Sequence, residues 1–175
     1  HLYARPEQRV RDYFVHTNLT DDYTGADFSV GIELFNADPA PFSGNIRVQV
    51  LDGETAVADI NSKLTLVPGI TSIHFAKVIE TIRPWSAEIP DLYTLLIELA
   101  DAKGNTLEAI SQQIGFRTVE ISNGRFMVNG KLVKLKGVNL HEHNDVTGHV
   151  VDEATMLEDI RLMKAANLNA VRNSH

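Results

Sequence analysis

The chain has 175 residues, a formal net charge of −7 and no cysteine. That length holds one domain plus a remainder. An acidic balance without a long basic run argues against a nucleic-acid surface or an anionic membrane as partner. A chain without cysteine has no disulfide framework, no thiolate zinc site and no catalytic thiol. No apolar run approaches the roughly 18–20 residues of a membrane-spanning helix. The opening residues His1-Leu2-Tyr3-Ala4-Arg5-Pro6-Glu7 lack the form of a signal peptide. They read as the interior of a longer chain, with any export signal upstream and the compartment open.

Residues Arg9 to Leu19 alternate with period two, which predicts a strand with Val10, Asp12, Phe14 and His16 on one face and Arg11, Tyr13, Val15 and Thr17 on the other. Asp21-Asp22 and Thr24-Gly25 turn the chain. Phe28, Val30, Ile32 and Leu34 mark a second strand, broken by Asn36 to Pro41. Ile46, Val48 and Val50 mark a third. Asp52-Gly53 then suggests a type I′ hairpin, with a return strand over Thr55–Ile60 and a separate strand at Leu64–Leu66. Further strands are expected over Ile73–Ile79, Leu92–Leu99 and Leu107–Ile114. About seven short strands with turns every 8–12 residues or so predict a β-sandwich of immunoglobulin-like type. Trp85 lies in a loop between Pro84 and Pro90. It suits a proline-stiffened structural plug better than a sugar-stacking platform.

The pattern then changes. Asn123-Gly124 and Asn129-Gly130 predict two tight turns in a small meander over Thr118–Ile121, Phe126–Val128 and Leu132–Val138. A helix follows, with Asp152 as N-cap, Glu153 in the first turn, a stripe of Met156, Leu157, Ile160, Leu162 and Met163, and Asn167 at the left-handed C-terminal position. Asn169-Ala170-Val171-Arg172 begins another strand. Strand, helix and strand in succession form a βαβ unit, which makes its two strands parallel. Parallel α/β folds place their sites at the carboxyl ends of strands. Here those ends are Asn139-Leu140-His141-Glu142-His143 and Arg172-Asn173-Ser174-His175. A metalloprotease helix is excluded because Asp145 stands where the second histidine of His-Glu-x-x-His belongs. Ser174 lacks the context of a nucleophile elbow.

Lys136-Gly137-Val138-Asn139-x-His141-Glu142-His143, followed by Asn169-Ala170-Val171-Arg172-Asn173-Ser174-His175, resembles glycoside hydrolase family 2, the β-galactosidases in particular. Trp85-Ser86-Ala87-Glu88-Ile89-Pro90-Asp91-Leu92-Tyr93, Gly115-Phe116-Arg117 and Asn129-Gly130-Lys131 extend the resemblance along the chain. It implies a mainly β chain: an immunoglobulin-like sandwich over 1–117, then the meander and first βαβ unit of a (β/α)8 barrel over 118–175. It implies retaining hydrolysis of terminal β-D-galactosides by two glutamates about 5 Å apart, both from later barrel strands. This stretch alone would then be inactive, with no catalytic residue of its own.

By resemblance His141 and His175 contact galactosyl hydroxyls and stabilise the transition state, and Arg172 supports the nucleophile. Asn139, Glu142 and His143 lie beside the sugar. No metal ligand falls in this stretch, although the parent would use Mg2+ and Na+. The parent would act on a β-galactoside, without nucleic acid or membrane, as a homo-oligomer. Leu140 stands where the galactosidase pattern has a basic residue, and Asn144-Asp145 replaces His-Pro. The paired His141 and His143 favour a galactosidase over a glucuronidase. A β-glucuronidase or β-mannosidase type and a non-catalytic sugar-binding sandwich are the alternatives.

Overall fold

The computed structural model describes residues 4–174. Its strands are β1 (Gln8–Leu19), β2 (Ala26–Asn36), β3 (Phe42–Asp52), β4 (Thr55–Leu66), β5 (Gly69–Ile79), β6 (Tyr93–Asp101) and β7 (Thr106–Ile114). After these come β8 (Val119–Ser122), β9 (Arg125–Val128), β10 (Lys131–Leu132), β11 (Gly137–Leu140), helix α1 (Glu153–Ala165) and β12 (Ala170–Asn173). The chain divides into two compact units. The first runs to Glu120 and includes Val128–Gly130; the second comprises Ile121–Met127 and the residues from Lys131 onward.

The first unit contains a sandwich of two sheets, ordered β1-β2-β5 and β4-β3-β6-β7. Neighbouring strands in both sheets are antiparallel. One face of each sheet supplies the core: Phe28, Val30, Ile32 and Leu34 from β2, Ile46, Val48 and Val50 from β3, and Leu95, Ile97 and Leu99 from β6. Each such side chain contributes about 1.5–3 kcal/mol on burial. Phe116 closes the core, edge-on to Tyr93 with ring centroids 5.3 Å apart. The expected sandwich is therefore present with its seven strands.

Three local expectations within the sandwich need correction. β1 does not alternate strictly, because its pairing with β2 shifts between Val10 and Asp12. Arg11 is the extra residue of a β-bulge. Beyond it the inward face changes parity: Val10 is buried and Tyr13 and Val15 pack against the core, whereas Phe14 is 67% exposed. Secondly, Thr55–Leu66 is one continuous strand and not two. Its polar stretch Asn61-Ser62-Lys63 stays paired with Arg47, Ile46 and Asn45, in that order, on β3. Thirdly, the β3–β4 turn has Gly53-Glu54 at its centre, and only Gly53 has positive φ (58°). That is the pattern of a type II′ turn and not of type I′.

The loop bearing Trp85 is structural in its contacts. The Trp85 amide donates to the Phe116 carbonyl at 2.8 Å, and the Trp85 carbonyl accepts from Asn129 Nδ2 at 3.0 Å. The Arg117 guanidinium lies 4.7 Å from the indole centroid. A Cβ on Gly115 would come within 2.9 Å of Trp85 side-chain atoms, so only glycine admits the ring in this position.

Both Asn-Gly turns form as expected. Asn123 and Gly124 have φ of 50° and 71°, and Asn129 and Gly130 of 50° and 69°, the paired positive values of type I′. The run Leu132–Val138 is not one strand, however. Lys131–Leu132 joins a sheet ordered β10-β9-β8, whereas Gly137–Leu140 belongs to a separate two-stranded sheet with β12.

Candidate functional site

The second unit builds the candidate site from one parallel strand pair. β11 and β12 are in parallel register: Gly137 with Ala170, Val138 with Val171, Asn139 with Arg172, and Leu140 with Asn173. The Ser174 amide donates to the Leu140 carbonyl at 2.9 Å and carries the pairing one residue further. Parallel pairing brings the carboxyl ends of both strands to one edge. Asn139 and Arg172 are cross-strand neighbours on one face, and His141, Glu142 and His143 follow directly from β11. The structure thus places Asn139 and Arg172 in register, with the His141–His143 segment following from the carboxyl end of β11. His175 lies outside the described residues.

Side-chain amides fasten the strand pair at both ends, Asn169 at the amino ends and Asn173 at the carboxyl ends. Asn169 Oδ1 accepts from the Lys136 amide at 2.8 Å, and its Nδ2 donates to the Lys134 carbonyl at 3.1 Å. The Asn169 amide donates to the Lys136 carbonyl at 3.1 Å. One asparagine therefore satisfies the approach to β11 while it starts β12. Asn173 Nδ2 donates to Glu142 Oε1 at 2.9 Å and links the two strand ends.

The loop after His143 is equally ordered. Asn144 Oδ1 accepts from the Val146 amide at 2.9 Å and from the Thr147 amide at 3.1 Å. Asn144 and Gly148 exchange reciprocal backbone bonds of 2.8 and 2.9 Å. The chain returns to place His149 Nδ1 3.0 Å from the Glu142 carbonyl. The His143 and His149 rings stand edge-to-face, with centroids 5.6 Å apart and planes at 72°.

Helix α1 connects the two strands. Asp152 caps it by accepting from the Thr155 amide at 2.9 Å, and this bonding, with the Thr155 side chain as the leading contribution, holds the Asp152 carboxyl below its ordinary value. Lys164 lies in the last turn, where a cation offsets the helix dipole. Asn167 takes the left-handed conformation at φ 56°, which the sequence also predicts.

Among the described residues no group of three or more His, Asp or Glu side chains is arranged to hold a metal ion. No helix among the described residues is long and apolar enough to cross a membrane.

Several contributors escaped the sequence reading. His149 carries no motif signal, and Asn173 stands inside the Asn169–His175 motif without an assigned role; both roles depend on strand register and on where the loop returns. Asn144 had a weak local signal, since Asn-Asp is turn chemistry. Asn169 was legible only as the start of a strand and not as a bridge to Lys134 and Lys136.

The fold is a β-sandwich followed in the chain by a parallel βαβ unit that carries polar side chains at its carboxyl edge. Residues 8–117 match Glycosyl hydrolases family 2, and residues 119–175 match the family's TIM barrel domain. The chain belongs to glycosyl hydrolase family 2. It is 36% identical over 181 residues to a β-galactosidase of Pseudoalteromonas haloplanktis, covering 99% of this chain and 17% of that protein. A solved family 2 member from Bacteroides cellulosilyticus superposes with a TM-score of 0.88 at 26% identity, over 98% of this chain and 24% of that one. A β-glucuronidase from Ruminococcus gnavus, solved with D-glucuronic acid, gives a TM-score of 0.78 at 27% identity, over 97% of this chain and 27% of that one. The chain thus spans about a sixth of the length of the curated relatives it matches.

Proposed function

We propose that this chain is a segment of a retaining β-galactosidase and supplies part of the sugar subsite. The observation that carries the reading is the parallel register of β11 with β12, which sets Asn139 beside Arg172 and directs His141–His143 to the same edge. In this reading His141 hydrogen-bonds sugar hydroxyls, since a neutral imidazole both donates and accepts. His175 does the same in this reading. Arg172 orients a carboxylate through its planar guanidinium. The glutamates that act as acid/base and nucleophile come from elsewhere in the barrel. By resemblance Glu142 is not one of them and lies beside the sugar, where its carboxylate accepts from Asn173. The resemblance to β-galactosidases over nearly the whole chain supports the galactoside assignment.

The test compares nitrophenyl β-D-galactoside with the corresponding β-D-glucuronide. The full-length enzyme carrying this segment should hydrolyse the galactoside with retention of configuration. The 175-residue chain alone should hydrolyse neither. A full-length enzyme that prefers the glucuronide moves the substrate to the glucuronidase type. Turnover by the purified 175-residue chain refutes the assignment of the reacting carboxylates.

A further inference from the structure

Glu142 sits between His141 and His143, and it is held at both ends. Its carboxylate accepts from Asn173 Nδ2 at 2.9 Å, and its backbone carbonyl lies 3.0 Å from His149 Nδ1. A carbonyl oxygen only accepts, so Nδ1 of His149 carries the hydrogen. The neutral ring is then the Nδ1–H tautomer, with Nε2 as an acceptor. The same ring stands edge-to-face against His143 at 5.6 Å. The closed Asn144–Gly148 turn makes this possible, because it reverses the chain and brings position 149 back over 142 and 143.

We propose that His149 and Asn173 are positioning residues that clamp Glu142 from its two ends and so set how His141 and His143 are presented to the sugar. This rests on the glycosidase reading, but the clamp is a geometric claim that is tested without turnover. Two bonds and one ring contact converge on Glu142 and His143. Freeing either end lets the segment rotate, which weakens substrate binding more than it slows the bond-breaking step.

The first measurement is long-range proton–nitrogen NMR on the nitrogen-labelled chain in alkaline buffer, where imidazoles are neutral. His149 should show the Nδ1–H pattern. His149→Ala should move the His143 ring resonances, because the adjacent ring is gone. His149→Asn, whose amide nitrogen takes the place of Nδ1, should keep the Glu142 and His143 backbone amides near their original positions. An Nε2–H tautomer at His149, or His143 signals unmoved by His149→Ala, overturns the clamp.

The second measurement is steady-state kinetics on the full-length enzyme. His149→Ala and Asn173→Ala should each raise KM about fivefold, the effect of one lost hydrogen bond, with kcat within about twofold. His149→Asn should recover most of the loss. An unchanged KM in folded variants overturns the positioning role. A full-length enzyme that hydrolyses no β-glycoside overturns the glycosidase reading and with it the kinetic role, while the tautomer and ring shifts still decide the clamp.

Discussion

Asn36 is the buried polar residue at the end of β2, with 1% of its surface exposed. Its Oδ1 accepts from Gln8 Nε2 at 2.9 Å and from the Asp38 amide at 3.1 Å. Its Nδ2 donates to the Ala40 carbonyl at 2.9 Å and, at 3.4 Å, to the Leu66 carbonyl. One amide thus ties β1, the loop after β2 and the end of β4. Three good bonds and one long one, at about 0.5–1.5 kcal/mol net each, make Asn36→Ala cost about 3 kcal/mol. Asn36→Asp sharpens the reasoning. It keeps the acceptor side but sets a carboxylate oxygen against two carbonyls. That raises the folded-state pKa of the new carboxyl above its unfolded value of about 3.9. A raised folded pKa means the neutral form is favoured on folding. The variant's relative stability is therefore greatest below the unfolded pKa and is lost as pH rises through the folded one. Urea unfolding followed by the single tryptophan reads both effects. At pH 7 Asn36→Asp should be less stable than Asn36→Ala, and the gap should narrow or reverse near pH 4. Asn36→Ala losing under about 1 kcal/mol, or Asn36→Asp showing no gain on acidification, would refute the account.

Phe116→Ala removes a fully buried ring packed on Tyr93 and Phe28, and should cost about 4 kcal/mol in the same unfolding assay; a loss under about 1.5 kcal/mol would mean the site collapses without a cavity. Asp22 is held down to about 2, first by the Thr20 hydroxyl and then by Thr24. Its contribution to stability is complete above the ordinary value of 3.8 and is lost as pH falls through about 2. A carbon-detected titration of its carboxyl should have its midpoint near 2, and a midpoint at the ordinary value would exclude those bonds. Hydrogen exchange should be slowest in β3 and β6, whose inward residues are fully buried, and fast throughout α1, which buries none. Equal protection of α1 and β3 would contradict the burial pattern.

Much of the sandwich is legible because core faces repeat every second residue, as in Phe28, Val30, Ile32 and Leu34. What breaks that legibility is a single inserted residue. Arg11 changes the parity of β1, and no local chemistry marks it, since an arginine suits either side of a bulge. The polar stretch Asn61-Ser62-Lys63 imitates a turn, yet β4 is the edge of its sheet and tolerates polar residues without losing its ladder. The two Asn-Gly turns are legible because positive φ at two successive positions has few other solutions. The strand-end site is legible in outline, because His141 and Arg172 follow from the rule that parallel strands end at the reactive edge. The fastening of the strand pair at its other end is not. The Lys134 carbonyl and Lys136 amide find their partner at Asn169, more than thirty residues away, and no pattern within either segment announces it.

The two units are held together in different ways. The sandwich has a continuous apolar core, and its polar bonds decorate strands that burial already specifies. The unit carrying the site has no such core among the described residues. Met156 is 41% exposed and Leu162 60%, and α1 buries no residue. A helix of its 13 residues is marginal on local terms alone. In compensation, short polar side chains appear wherever the chain changes direction. Asp152 starts the helix, Asn169 seats β12 against the approach to β11, Asn173 ties the strand ends and Asn144 closes the loop. Asn144 and Asn173 act within a few residues of the proposed sugar contacts, whereas Asn169 fastens the opposite end of the strand pair and Asp152 starts the helix. Because these bonds are exposed, each adds little to global stability. Their effect is on where His141, His143 and Arg172 are held. Substitutions at these asparagines should therefore change substrate binding before they change the unfolding midpoint, the reverse of the order expected for Asn36 and Phe116.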